Sequence, residues 1–264
     1  MELKRGDKSP QVIELQKLLN QKGFFNAEYI ENFGPKTEAS VKAYQASINF
    51  TTTGIVDDVL WNTLQPKGDK TLNIEVLKRT ITSKGYIWYT DRPNIISIRT
   101  NMNVPDVFND VLCIVYMENG IETIKNYTNT TDPGSYWLLH PMSKLGTAVL
   151  KPGQYINSHS IGFHQNKPDH KALVQTGKVT VYRDNDKDNL AEAVLTEETG
   201  YFGINIHGAN KNTKTMSIGK WSAGCQVFQL WSNKEEFVTI CEKFKKITGN
   251  KFTYTLLLES DLKF

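Results

Sequence analysis

Apolar residues recur at helical spacing through the first sixty-odd positions, then give way to short β-branched runs. Ser9-Pro10 reads as a helix start, with Ser at the N-cap and Pro at the first helical position. Val12, Leu15 and Leu19 follow at helical intervals, with Leu18 beside them, and Gly23 supplies a stop. A second helix is expected from Gly34-Pro35-Lys36-Thr37, burying Val41, Tyr44 and Ile48. Gly54 gives a turn, and Asp57 caps a third helix carrying Leu60, Trp61 and Leu64. Three short amphipathic helices of this kind make a small bundle.

Gln65-Pro66-Lys67-Gly68-Asp69-Lys70 is polar and broken by Pro and Gly, as a linker would be. Leu72, Val76 and Ile81 then suggest a short helix between Thr71 and Lys84. Beyond Tyr86 the pattern is that of strands: Ile95–Ile98, Val111–Tyr116, Val179–Tyr182, Phe202–Ile206 and Phe252–Leu258. Lys234 to Ile247 reads as one late helix with Phe237, Ile240, Cys241 and Phe244 turned inward. The expected fold class is α+β. A helical domain spans 1–66, a linker and helix span 67–84, and a mainly β domain with a C-terminal helix and strand spans 85–264.

Composition changes this picture little. The 264 residues are 39% hydrophobic and 22% charged, ordinary for a folded protein. A net charge of +3, without a Lys/Arg-dense stripe, argues against nucleic acid. No apolar run approaches the ~20 residues of a membrane helix, and the N-terminus has no apolar export region. The expectation is synthesis in the cytoplasm without membrane insertion.

Three cysteines do not make a disulfide framework. Cys113 and Cys241 sit in apolar periodic segments and read as buried thiols. Cys225 differs: it follows Ser222-Ala223-Gly224, small residues that let backbone approach a ligand and aim N–H groups at an oxyanion. His207 ends an expected strand in Asn205-Ile206-His207-Gly208. A thiol nucleophile needs such a base, although a lone Cys and a lone His are each compatible with a purely structural role.

Two resemblances bear on that choice. Leu3, Gly6, Val12, Leu15-Gln16, Leu19 and Gly23 are followed by Phe33-Gly34-Pro35-Lys36-Thr37, Ala39, Val41 and Tyr44-Gln45. Gly54-Ile55-Val56-Asp57 through Trp61 and Leu64 complete the series. In this order they resemble the peptidoglycan-binding type 1 module, with Glu28–Asn32 replacing the family's shorter approach to Phe-Gly. That resemblance implies peptidoglycan as partner.

Ile206-His207-Gly208 and Ser222-Ala223-Gly224-Cys225 resemble the motif of L,D-transpeptidases of the YkuD type. Gly146–Tyr155 is similar to a looser form of an upstream family segment. This second resemblance implies Cys225 as nucleophile and His207 as base. Gly208, Ser222, Ala223, Gly224 and Gln226 would serve the substrate or the oxyanion, and no cofactor is implied. Ala223 stands where that family has His, and Val227 where it has Arg or Asn. Thr131–Gly134, Gly146–Ala148 and Trp221–Phe228 also resemble segments of phage and prophage wall proteins, which implies a viral origin; for want of an export region, delivery by phage lysis, a virion or an injection machine is expected.

Other chemistry is less well supported. Asp184-Asn185-Asp186-Lys187-Asp188 alternates carboxylates, but a calcium loop needs Gly at its sixth place and Glu at its twelfth, and Asn189 and Leu195 stand there. His159, His164 and His170 share a short, loop-like span without zinc-ligand spacing. The expectation is no metal. The function expected is a cysteine-dependent, wall-binding enzyme acting by acyl transfer or hydrolysis on stem peptides. The alternative is a non-catalytic wall-binding or virion structural protein that retains an enzyme fold. A carboxylate glycosidase ranks below both, for want of a paired-acid motif.

Overall fold

The structure, a computed structural model, describes residues 2–48, 50–64, 71–100, 106–191 and 196–264, the side chain of Asn62 excepted. The chain divides into two compact units, 1–70 and 71–264.

In the first unit, helices α1 (Pro10–Gln21), α2 (Pro35–Ser47) and α3 (Asp58–Leu64) form the bundle. Pro10 opens α1 as expected, but Ser9 makes no side-chain cap. At α3 the cap is made: Leu60 N donates to Asp57 Oδ1 at 2.8 Å. Leu15, Leu19, Phe33, Val41, Leu60 and Leu64 are buried at its centre. Two buried glutamines tie the loops to the helices. Gln16 donates to Thr37 Oγ1 and accepts from Ile30 N. Gln45 donates to Thr53 Oγ1 and Ile55 O and accepts from Gly54 N. Their amides are thus satisfied without water.

Residues 65–70, read as the linker, lie outside the described residues. The helix expected to follow them does not belong to a linker. α4 (Ile74–Ser83), capped by Asn73 at 3.0 Å, buries Leu77 and Ile81 against Ile96, Ile98, Cys113 and Leu257. It is part of the second unit, where its apolar stripe is buried.

That unit is built on strands β1 (Asn94–Arg99), β2 (Asp110–Glu118), β3 (Ile121–Thr130), β4 (Thr147–Leu150), β5 (Gly153–Phe163) and β6 (Lys171–Gln175). They are followed by β7 (Val179–Asp184), β8 (Glu197–Gly200), β9 (Ile206–Gly208), β10 (Gln226–Phe228) and β11 (Phe252–Leu258). A short helix, α5 (Ser135–Leu139), follows β3, and the long helix α6 (Trp231–Thr248) precedes β11. Eight strands close a barrel in the order β1-β11-β5-β6-β9-β10-β3-β2, and β4-β7-β8 form a separate sheet. Pairing is antiparallel except for β1 with β11 and β9 with β10. Ile206, Phe228, Leu173 and Tyr254 share the main core with Phe237, Ile240, Cys241 and Phe244 of α6. The four inward residues expected of the late helix are therefore buried.

The expected strand Phe202–Ile206 is corrected to β9 alone. Gln175 explains why: its Oε1 accepts from both Phe202 N and Ile204 N at 3.0 Å. A side chain takes the place of ladder partners there, and the segment runs irregularly until Ile206. His159 also departs from expectation. It lies within β5, not in a loop, and is fully buried between Ser158 Oγ and the Ile204 carbonyl. Among the described residues no helix is long and apolar enough to cross a membrane.

Candidate active site

The parallel pair β9–β10 brings the two sequence motifs together. Its register sets Gln226 beside Ile206 and Val227 beside His207. Side chains alternate across a strand, so His207 and Val227 face away from the core that holds Ile206 and Phe228. Cys225 ends the turn just before β10, next to Asn205, whose carbonyl accepts from Gln226 N at 2.8 Å.

His207 is 1% exposed. Its Nδ1 lies 2.9 Å from the Gly208 carbonyl. A carbonyl only accepts, so Nδ1 carries the proton and Nε2 keeps a lone pair. That Nε2 is buried and has no hydrogen-bond partner among the described residues. Burial drives the imidazole well below its usual value, and His164, His170 and Lys234 push it the same way. The ring is a neutral base with one unused nitrogen.

The Cys225 turn is tightly specified. Gly224 has φ +121°, and a Cβ there would meet the Ala148 carbonyl at 2.4 Å. Ser222 is buried; its hydroxyl donates to the Cys225 carbonyl at 2.8 Å and accepts from Gly224 N at 3.2 Å. Three of the residues expected at the substrate or oxyanion make hydrogen bonds within the turn. Ser222 holds the turn. The Gly224 N–H is engaged by that hydroxyl and is not free for an oxyanion. Gln226 is wholly buried: its Oε1 accepts from Tyr254 Oη at 2.7 Å, and its Nε2 donates to Gly224 O. It braces the turn from the core side and touches no ligand space. Gly208 acts through its carbonyl, which fixes the His207 tautomer. Ala223 lines a cleft.

The Cys225 thiol is half-buried and donates to the Gly203 carbonyl at 3.2 Å. Burial pushes it up to about 11, and the Asn205 backbone N–H partly offsets this. No hydrogen bond joins it to His207 among the described residues. Cys113 and Cys241 are sealed, and burial pushes both upward, Cys113 to about 12.

A cleft of about 170 Å³ borders the turn, lined by Trp137, Thr147, Ala148, Arg183, Phe202 and Ala223 among others. Ala148 and Thr147 belong to the segment Gly146–Tyr155 singled out in the sequence. Arg183 is held by Glu198 at 2.8 Å and stacks on Phe202. Asp106, which sequence reasoning passed over, accepts from Ser135 N, Gly219 N and the Ser217 hydroxyl. It ties the α5 segment to the loop that leads into the cysteine turn. No local pattern marked it, because its partners lie far along the chain. Asp184 ends β7, and Asp186 and Asp188 accept from backbone N–H groups of the following turn; Leu195 lies outside the described residues. Among the described residues no group of three or more His, Cys, Asp or Glu is arranged to hold a metal ion.

Residues 8–64 match the family model described as "Putative peptidoglycan binding domain". The first unit carries a peptidoglycan-binding type 1 domain. No curated protein matches the chain. Among solved structures, the N-terminal domain of SleB aligns at 25% identity over 24% of this chain and 88% of that one, TM-score 0.24. A Burkholderia AP3 phage endolysin aligns at 26% identity, over 31% of this chain and 32% of that one, TM-score 0.24. This chain thus spans about a third of the endolysin's length. The L,D-transpeptidase (residues 123–326) of Xylanimonas cellulosilytica DSM 15894 aligns at 13% identity over 97% of each chain, TM-score 0.26. TM-scores this low set no fold for the second unit.

Proposed function

We propose that this protein is a peptidoglycan-acting enzyme: its first unit binds the wall, and its second uses Cys225 and His207 for acyl transfer on stem peptides. The observation that carries this reading is the meeting of the two motifs on adjacent strands, beside a cleft, in a chain with a peptidoglycan-binding domain. His207 supplies an unprotonated Nε2, and the Gly208 carbonyl holds the ring in that tautomer. The thiol must leave the Gly203 carbonyl and hand its proton to Nε2. Catalytic contacts commonly tighten only when substrate is bound.

The thiolate then attacks a stem-peptide carbonyl. A C–S bond forms, the C–N bond breaks, and the departing amine takes the proton from His207. Water or a second amine resolves the thioester and restores the thiol. With the Gly224 N–H engaged, the amides of Ala223 and Cys225 are the donors left for the oxyanion. The replacement of the family's His and Arg/Asn by Ala223 and Val227 favours water as acceptor, that is, a hydrolase. The setting proposed for this activity is release or delivery to the wall in a phage context.

A second reading, a wall-binding protein with an idle enzyme-like unit, is favoured by the protonated thiol and its bond to Gly203. Mass spectrometry of muropeptides separates the two. Wild type is expected to change the profile and Cys225→Ala to leave it as found. Identical products from both would remove Cys225 from the chemistry.

A further inference from the structure

Three imidazoles cluster on the outer side of β9, and the reaction proposed above uses one of them. The His164 ring, in a single helical turn after β5, lies flat on His207, with centroids 3.8 Å apart and planes inclined by 18°. His170 stands edge-on to both, and Trp231 of α6 closes over it at 4.6 Å. Lys234, nearly buried, places its ammonium 3.7 Å from the Trp231 ring.

The hydrogen bonds around His164 fix its protonation. Its Nδ1 lies 3.1 Å from Asn205 Nδ2. Asn205 cannot be turned the other way, because its Oδ1 already accepts from Gln175 N at 2.8 Å. The amide therefore donates, His164 Nδ1 accepts, and the His164 proton sits on Nε2. Protonating Nδ1 would set an N–H against the amide hydrogens and break that bond. His164 is thereby kept a neutral, flat wall. Asn205 at the same time meets the cysteine turn through its backbone, its carbonyl receiving Gln226 N.

We propose that His164, held by Asn205, is a positioning residue for His207: it fixes the plane and tautomer of that ring and couples it to the turn bearing Cys225. This rests on the Cys225–His207 reading for its catalytic meaning, but not for its geometry. A neutral aromatic face 3.8 Å away fills one side of the ring and excludes water from it. Without that wall the ring could turn about its Cβ–Cγ bond and exchange Nδ1 for Nε2. The charged group bearing on His207 is Lys234 from α6, while Lys167 faces His164 and His170, and Asp169 faces His170. Burial and Lys234 disfavour charge on the ring; only the Gly208 carbonyl favours it.

The test is ¹⁵N-imidazole NMR of the full chain between pH 4 and 8, for wild type, His164→Ala and His164→Phe, alongside muropeptide kinetics. In wild type His207 should stay neutral, with Nδ1 protonated, across that range. In His164→Ala it should show mixed tautomers and a titration midpoint raised by about one unit or more. The same variant should lose about tenfold or more in kcat with KM unchanged. His164→Phe, which keeps a flat wall, should retain the single tautomer and most of kcat. A His207 tautomer and titration curve unchanged in His164→Ala would overturn the inference, as would His164→Phe failing while folded by near-ultraviolet circular dichroism. If wild type converts no muropeptide, the enzymatic reading fails, while the NMR comparison still decides the role of His164.

Discussion

The two units treat their buried polar groups differently. In the helical unit, Gln16 and Gln45 sit in the core with donors and acceptors both engaged. In the barrel unit, His207 and His170 each keep a buried Nε2 without a partner, beside a thiol held in reserve on Gly203. An unmade buried hydrogen bond costs on the order of 1–3 kcal/mol, so folds keep few of them. The first unit uses polarity to fix its loops and leaves binding to its surface. Among the described residues the second leaves His207 Nε2 and His170 Nε2 unsatisfied at the proposed site, along with Tyr127 Oη, Asn129 Oδ1 and Asn189 Oδ1, whereas the first leaves only Ser9 Oγ so, at the start of α1.

The sharpest break between the units is expected from Cys225→Ala. Muropeptide conversion should fall by roughly 10³-fold or more, while wall pull-down by the first unit stays at the wild-type level. Next in size is Phe33→Ala, which empties a fully buried site in the helical core. It should cost about 3–5 kcal/mol, abolish wall pull-down, and leave the melting of the barrel unit in place. Gly224→Ala should cost the barrel unit about 1–3 kcal/mol through its left-handed backbone, compounded by the clash with the Ala148 carbonyl. Activity should be lost with it, and calorimetry should show the helical unit unaffected.

The smallest expected effect is in pH. All five histidines of the chain lie in the second unit. Burial pushes His159, His164 and His170 down to about 4, and His207 also downward. Below 6.5 the unfolded chain takes up protons that the folded unit refuses. Stability is full above 6.5 and drains as pH falls toward 4. Asp110 opposes this: burial and Asp132 raise it to about 6, so its contribution is present in acid and lost as pH rises through 6. Four imidazoles outweigh one carboxyl. Urea midpoints for the barrel unit should therefore drop between pH 7 and 5, with less change in the helical unit.

Much of the architecture was legible because local pattern and burial agreed. The helices of the first unit, α6, β1, β2, β7 and β11 all carry their period in the sequence. β5 was not legible: Ser158, His159 and Ser160 are polar yet buried, and His159 and Ser160 are satisfied by the Ile204 and Asn250 carbonyls far along the chain. Cys225 and His207 were marked out by their motifs. The duties of Ser222, Gly224 and Gln226 were not, because which side of a turn a polar group faces depends on Tyr254 and Ala148, which no local window contains. Asn205 had one available sign: it lies two residues before His207 and so shares its face.

The account stands or falls on a covalent intermediate. Intact-protein and peptide mass spectrometry, after rapid acid quench of the full chain with a stem-peptide substrate, should find a thioester on the peptide containing Cys225. The adduct should be absent in Cys225→Ala and strongly depleted in His207→Ala. Turnover of the substrate by Cys225→Ala at the wild-type rate, with no adduct on any cysteine, would contradict it.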